Sequence, residues 1–363
     1  MGRKNEIGSN FWLSHEEREN IVPLTSSVYG LNKWEHCILT SSGRGAIKLL
    51  FKNLPKVKRI LLPVYTCSSV INPIESLGIS CFFYPVKRDL RIDGELLIDM
   101  ACQIKADAVY LQSYYGFDTL KGTRESYRIL QERGILVVED ITHSWLGDFN
   151  STEADYTVVS LRKWLELPDG GALLSSRHSL DFTLDENEST NIVSEFVKAS
   201  FAKEQYFQTL QPADKEVFRG HYVNAKNLLQ ADDNAYCMSS LSKSVLAQTE
   251  FEAIAKRRKE NAMYLHEHLH NKIIKRIVDF DSVHAVPLYY PIYVMDNRGA
   301  LQKELASQNI YCPVHWPIPA QVKDILDDNG AYIYSHVLSL ICDQRYDLED
   351  MAAIVDVVNQ YEA

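Results

Sequence analysis

Asp140 closes an apolar run over 135–140 (ILVVED), with Ile141, Thr142 and His143 directly after it. Lys163 closes a second run over 156–163 (YTVVSLRK), and a Gly-Gly pair opens a third over 168–174 (PDGGALL). An amine and a carboxylate leaving successive strands are the two groups that pyridoxal phosphate (PLP) chemistry needs. The lysine forms a Schiff base, and the acid keeps the pyridine nitrogen protonated so that the ring accepts electrons. Each residue alone has a plainer reading: Lys163 as a loop lysine in solvent, Asp140 as a helix N-cap. Glu139 is the internal control, because strand alternation points it to the opposite face.

The other candidates are single residues with two readings each. In 41–46 (SSGRGA), Ser42, Gly43 and Arg44 join a strand to a helix, where backbone amides at the positive helix end hold a phosphate. The stretch has neither the Gly-Lys-Ser/Thr of a Walker loop nor the spacing of a dinucleotide fingerprint, which disfavours a nicotinamide-dependent Rossmann enzyme. Ser160 adds a hydroxyl to the same phosphate or is an ordinary strand-end serine. Arg162 reaches a phosphate, a substrate carboxylate or solvent. His143 lies on or beside the ring, bonds its phenolic oxygen, or is a satisfied structural histidine. His315 and Trp316, in 313–319 (PVHWPIP), line a substrate pocket or pack as aromatics. Arg345, in 342–347 (CDQRYD), grips a substrate carboxylate or pairs with Asp343 or Asp347.

The elements that must position these groups alternate along the chain. Strand-like runs 37–40, 59–63, 80–86, 108–113 and 135–140 are separated by helix-like runs 44–54, 68–77, 95–104 and 121–132. Continuous apolar strands between helices predict a mostly parallel sheet covered on both faces. Ligands of such sheets bind beyond the carboxyl strand ends, here 41–44, 65–67, 114–115, 140–143 and 160–163. The polar and aromatic stretch 181–233 predicts helical connections with a mobile segment that closes over substrate. Residues 239–269 read as one long helix, and 285–293, 311–313 and 348–361 as a small α+β domain. The expected division is 1–238 and 239–363.

Bulk properties narrow the class. The chain has 363 residues, 46% hydrophobic and 24% charged, with a formal net charge of -10. That balance argues against a nucleic-acid partner, because no basic stripe is present to displace counterions. No apolar run approaches the roughly 20 residues of a membrane span, and residues 1–10 lack the apolar core of a signal peptide. Seven cysteines without a CxxC pair, several in apolar strands (Cys37, Cys81, Cys312), read as buried reduced thiols of a cytoplasmic protein.

The ensemble resembles the PLP-dependent sugar aminotransferases of the DegT–StrS group, which have the type I aspartate-aminotransferase fold. The residues that carry the likeness are 138–144 (VEDITHS), the SLRK and PDGG segments, 62–74 (LPVYTCSSVINPI), 116–120 (GFDTL), Asn234 with Met238 ahead of a long helix, and 339–351 (SLICDQRYDLEDM). The resemblance implies an α/β fold: a large domain with a mostly parallel mixed sheet between helices, plus a small α+β C-terminal domain. It implies a Lys163 Schiff base, Asp140 at the pyridine nitrogen, and His143 at the ring's oxygen or face. Ser42, Gly43, Arg44 and Ser160 would hold the phosphate. Asn234 would reach the phosphate of a neighbouring subunit, making a homodimer with shared active sites. The implied reaction moves an amino group from glutamate or a similar donor to a keto-sugar nucleotide, as in polysaccharide biosynthesis. Three departures stand out. Only Leu161 and Arg162 separate the serine from the lysine, Pro-Asp-Gly-Gly replaces Gly-Glu-Gly-Gly, and Cys67 stands where an aromatic residue is common, leaving Tyr65 or another aromatic to cover the ring. The alternatives are another PLP reaction on the same scaffold, such as a lyase or a sugar dehydratase, and a non-catalytic relative.

Overall fold

The alternating runs fold into a nine-stranded sheet, in a computed structural model that describes residues 6–231, 235–278, 280 and 284–362. Its strands are β1 (His36–Thr40), β2 (Arg59–Pro63), β3 (Ser80–Tyr84), β4 (Ala108–Gln112), β5 (Leu136–Asp140), β6 (Tyr156–Val159), β7 (Gly171–Ser175), β8 (Asp185–Glu188) and β9 (Tyr236–Cys237). Their spatial order is β3-β2-β4-β5-β6-β7-β1-β9-β8. The neighbours from β3 to β6 pair in parallel. β7 runs antiparallel to both β6 and β1, so β1 points the same way as β2–β6. Six carboxyl ends therefore open on one edge. This is the expected mostly parallel mixed sheet.

Every residue of β4, β6 and β7 is buried, as apolar strands covered on both faces must be. Four helices supply that cover: Gly43–Lys52, Ser68–Glu75, Gly94–Gln103 and Glu125–Glu132. The first buries Ala46, Ile47, Leu49, Leu50 and Phe51. A second, antiparallel sheet joins β10 (Ile274–Arg276), β11 (Tyr290–Val294) and β12 (Val337–Leu340). Its core includes Ala262, Leu265, Ile292, Leu338, Met351 and Ile354. Residues 311–313 form no strand, in keeping with Pro313, which has no amide to donate.

The structure corrects one helical reading and bears out another. The long helix over 239–269 is two helices, Ser240–Gln248 and Phe251–His268. Thr249 between them is extended, and its hydroxyl donates to the Val245 carbonyl at 2.7 Å. Turning there brings Phe251 onto the Tyr29 ring, with centroids 5.1 Å apart. The stretch expected to be mobile contains a pair of helices, Thr190–Thr209 and Pro212–Ala231, joined through Leu210 in the left-handed region (φ 53°). Phe196, Tyr206, Phe218 and Tyr222 from this pair share a core with Leu13, Val28, Leu31 and Trp34. The pair also buries Ser200 and Lys203 and leaves Phe201, Val217 and Val223 exposed. All seven cysteines are free; Cys312 and Cys342 are buried, whereas Cys37, expected inside, is exposed. Among the described residues, no helix is long and apolar enough to cross a membrane.

Candidate active site

At the carboxyl edge of the sheet lies a cleft of about 850 Å³. Ser42, Gly43 and Arg44 line it from the turn after β1, Asp140, Thr142 and His143 from the end of β5, and Ser160, Arg162 and Lys163 from the end of β6. His315 and Trp316 come from the C-terminal part of the chain to complete it. Residues as distant in sequence as Ser42 and Trp316 thus meet where an α/β sheet is expected to bind its ligand.

Thr142 is the hub of this arrangement. Its amide donates to Asp140 Oδ1 at 2.7 Å, its hydroxyl accepts from the Ser160 amide at 3.0 Å, and its carbonyl accepts from Trp164 Nε1 at 2.7 Å. One residue therefore fixes the acid's strand end to the lysine's turn. The Trp164 carbonyl is in turn held by Gln344 Nε2 at 2.8 Å and by buried Arg258 at 3.3 Å. Lys163 leaves the 3₁₀ turn Leu161–Lys163, which is secured on both sides.

Asp140 is 5% exposed. No helix follows it, so it is not a helix N-cap, although its bond to Thr142 N–H makes a local turn. Its second oxygen accepts from the Tyr110 hydroxyl at 2.7 Å. Glu139 takes the opposite face as alternation requires, accepting from Tyr127 Oη at 2.9 Å and Arg124 at 3.3 Å away from the cleft.

Lys163 Nζ lies 3.3 Å from His143 Nε2 and 5.8 Å from the centroid of Trp316. The Tyr115 amide lies 3.4 Å from His143 Nδ1, so the other ring nitrogen, Nε2, is the one that faces the amine. Burial first, and then the charges of Lys163 and His315, hold the His143 imidazole well below its usual pKa. His315 is depressed in the same way, burial being the larger cause and Lys163 the second. Both rings are therefore neutral at physiological pH.

Ser42 Oγ accepts from the Gly45 amide at 2.9 Å and caps the helix Gly43–Lys52, so the positive helix end meets the cleft at Gly43 and Arg44. The glycines around it are required by close approach. A Cβ on Gly43 would stand 2.9 Å from Ser160 Cβ, and one on Gly171 only 2.3 Å from the Ser42 carbonyl carbon. Gly170, at φ +145°, donates to the Ser41 carbonyl at 2.6 Å. The Gly-Gly pair exists because β7 starts directly beneath this turn. Among the described residues, four cations line the cleft, Arg44, Arg162, Lys163 and Lys226, against one carboxylate, Asp140. Burial lowers the Arg162 pKa, with Asp169 opposing and Arg44 adding to the shift. Asp169 is itself taken by the Ser239 amide at 3.0 Å and by the Ser242 hydroxyl.

These observations fit PLP on this chain's own residues. The Gly43–Ser160 cradle would be filled by a single added methyl, the capped helix end and cations suit a dianionic phosphate, and the amine and the carboxylate share one cleft.

Two expected site residues, Tyr65 and Arg345, fall elsewhere. Tyr65 is fully buried and does not line the cleft; its hydroxyl bonds Tyr115 Oη at 2.7 Å and donates to the His315 carbonyl. The aromatic surface beside Lys163 is Trp316, whose ring is 5.2 Å from that of Tyr65. Arg345 is absent from the lining. Its Nε and Nη2 each donate to Asp343 at 2.8 Å, and its Nη1 donates to the carbonyls of Ser9 at 2.8 Å and Asn10 at 3.1 Å. The guanidinium is consumed by the N-terminal segment. Asn234 lies outside the described residues. His315 does line the cleft, with Nδ1 2.7 Å from Ser339 Oγ.

Tyr110, Thr142, Gln112 and Lys226 were not among the candidates. Thr142 was visible between Asp140 and His143. Tyr110 and Gln112 become legible only through the parallel register that sets Gln112 opposite Asp140. Lys226 and Gln230 reach the cleft from the last turns of the helix Pro212–Ala231, and Arg44 ties that helix end in place through the Gln230 carbonyl at 3.3 Å and Ser69 Oγ at 3.2 Å.

No protein-family model matches the sequence, and no curated protein matches it either. Solved structures do match in fold. A DegT DnrJ EryC1 StrS aminotransferase from Brucella abortus is similar at TM-score 0.65 and 15% identity, over 96% of this chain and 90% of that one. Helicobacter pylori PseC, an aminotransferase involved in the biosynthesis of pseudoaminic acid, is similar at TM-score 0.67 and 14% identity, over 97% and 98%. S. venezuelae DesV, solved in complex with a ketimine intermediate, is similar at TM-score 0.65 and 14% identity, over 97% and 90%. With likeness across nearly its whole length, the chain has the fold of the sugar aminotransferases of the DegT–StrS group.

Proposed function

We propose that this protein is a PLP-dependent aminotransferase that moves an amino group from glutamate or a similar donor to a keto-sugar nucleotide. The observation that supports this most strongly is the convergence of Lys163, Asp140, His143 and the Ser42–Gly43–Arg44 turn on one cleft. When bound, PLP supplies an electron sink for the substrate's alpha carbon.

The chain's residues do the rest. Lys163 would hold the cofactor through its amine and would carry a proton to and from the substrate carbon. His143 Nε2, 3.3 Å from the amine, orients it and remains neutral for hydrogen-bond exchange. Asp140 holds the ring-nitrogen proton. Ser42, Gly43, Arg44 and Ser160 hold the phosphate at the helix end, and Arg162 adds its charge. Trp316, beside Lys163, would pack against the cofactor, and His315 would contact the substrate from the same wall of the cleft. Excess positive charge in the cleft suits an acceptor that carries phosphates of its own. The resemblance supports a homodimer in which Asn234 completes the neighbour's site, and the seven free cysteines support a cytoplasmic setting.

The test is visible absorbance of the purified protein with PLP, before and after L-glutamate. A band above the absorbance of free PLP that glutamate bleaches is the expected result. No band with PLP would return the fold to a binding role; a band indifferent to glutamate would shift the reading to another donor or to lyase chemistry.

A further inference from the structure

We infer that Tyr110 is a positioning residue for Asp140, aiming the carboxylate at the ring nitrogen and keeping the shared proton on the ring. This rests on the proposed PLP function and assigns a role to a residue of the sheet interior that the PLP site itself does not require. The carboxylate is gripped on both oxygens, by the Thr142 amide on Oδ1 and the Tyr110 hydroxyl on Oδ2, each at 2.7 Å. Two donors on different oxygens fix the plane of the group, and Asp140 still lines the cleft. Each oxygen retains a lone pair for a further partner.

Tyr110 itself cannot swing away. It is fully buried in β4, one strand over from Asp140, with the register placing Tyr110 beside Val138 and Gln112 beside Asp140. The Tyr84 hydroxyl donates to its carbonyl at 3.0 Å. Burial, followed by the Asp140 charge, raises the phenol pKa far above its usual value, so the hydroxyl stays protonated and acts as donor. A charge-assisted bond of this kind draws electron density from the carboxylate and weakens it as a base. The proton between Asp140 and the pyridine nitrogen then rests on the nitrogen, which is where the electron sink needs it. Without the phenol, the proton moves toward Asp140 and the ring becomes more nearly neutral.

The experiment uses the full-length protein reconstituted with PLP labelled with ¹⁵N in the ring. In Tyr110→Phe the ring ¹⁵N resonance should move from the protonated toward the neutral position. The pH midpoint of the visible band of the Lys163 linkage should rise by about one unit, the scale of one lost charge-assisted hydrogen bond. Replacement of Tyr110 by 3-fluorotyrosine, a stronger donor of nearly the same shape, should shift both readouts in the opposite direction, and it serves if the phenylalanine variant folds poorly. In an Asp140→Asn background the Tyr110→Phe change should shift neither, since the coupling runs through the carboxylate. Unmoved ¹⁵N resonance and midpoint in both Tyr110 variants, whatever happens to turnover, would overturn the inference and leave Tyr110 a packing residue. A wild-type protein that forms no visible band with PLP would instead overturn the proposed function.

Discussion

Two regions of this molecule bury cations, and they treat them in opposite ways. Behind the N-terminal segment, fully buried Lys203 donates to Ser9 Oγ at 2.7 Å and to the Asn10 carbonyl, with its ammonium 4.3 Å from the Trp12 centroid. Arg345 beside it is paired on both sides with Asp343 and lies 4.0 Å over the Phe11 ring. Every donor there has an acceptor from the chain itself. In the cleft, Lys163 faces a neutral imidazole and an indole, while Arg162 faces an aspartate that is already engaged by serines. A desolvated amine needs acceptors or a counter-charge at hand; Lys203 has neutral acceptors, and burial above all holds its pKa well below the usual value. Where the chain supplies the acceptor, the cation clamps structure; under the proposed function the cleft cations would meet the cofactor and substrate instead.

The largest test of that distinction is Lys163→Ala. Loss of the covalent link and proton carrier should cut turnover by roughly 10³-fold or more, with PLP still bound noncovalently and the melting temperature essentially unchanged; near-normal turnover by stopped-flow absorbance would place the chemistry elsewhere. Arg345→Ala should behave in the reverse manner. It leaves Asp343 buried without its partner, which costs about 3–5 kcal/mol in denaturant unfolding, while KM for the amino donor stays put. A raised KM at unchanged stability would restore Arg345 as a substrate grip. Arg162→Gln should weaken PLP binding by about tenfold, on the order of one charge-assisted bond to phosphate, with little change in unfolding midpoint; equal affinity in a fluorescence titration would return Arg162 to the class of internally satisfied cations.

The smallest effect concerns pH. His315 has a folded pKa of about 3 against an ordinary 6.5. Between those values the unfolded chain holds a proton that the folded chain lacks, so stability falls as pH drops through that window. His315→Gln should remove up to one proton from the slope of stability against pH there, read from urea midpoints. An unaltered slope would mean that the ring is hydrated and chargeable in the folded state.

Much of the cleft was legible because its parts sit at strand ends. Asp140, His143, Ser160 and Lys163 end apolar runs whose parallel order follows from their continuity, and a strand end has few places to go. Gly170 and Gly171 were legible as an oddity, and the structure explains them by the backbone of Ser42 and Gly43 passing too close for any Cβ. Tyr65 was misplaced for a subtler reason. The strand-end rule locates the segment 65–67 but not the rotation of each side chain, and Tyr65 turns inward to Tyr115 and His315. The helical connections within 181–233 were legible, but not the core they share with the N-terminal segment, because exposed faces dominate the composition of a helical pair.

The sequence by itself determined the order of strands and helices, the edge where a ligand binds and the acid and amine placed there, because periodicity, glycine geometry and strand ends are local properties. Tertiary structure alone decided that Arg345 reaches the Ser9 carbonyl, that Trp316 rather than Tyr65 faces Lys163, and that Tyr110 grips Asp140. Those pairings join residues 30 to more than 300 positions apart, and only the register and packing of distant elements set which donor meets which acceptor.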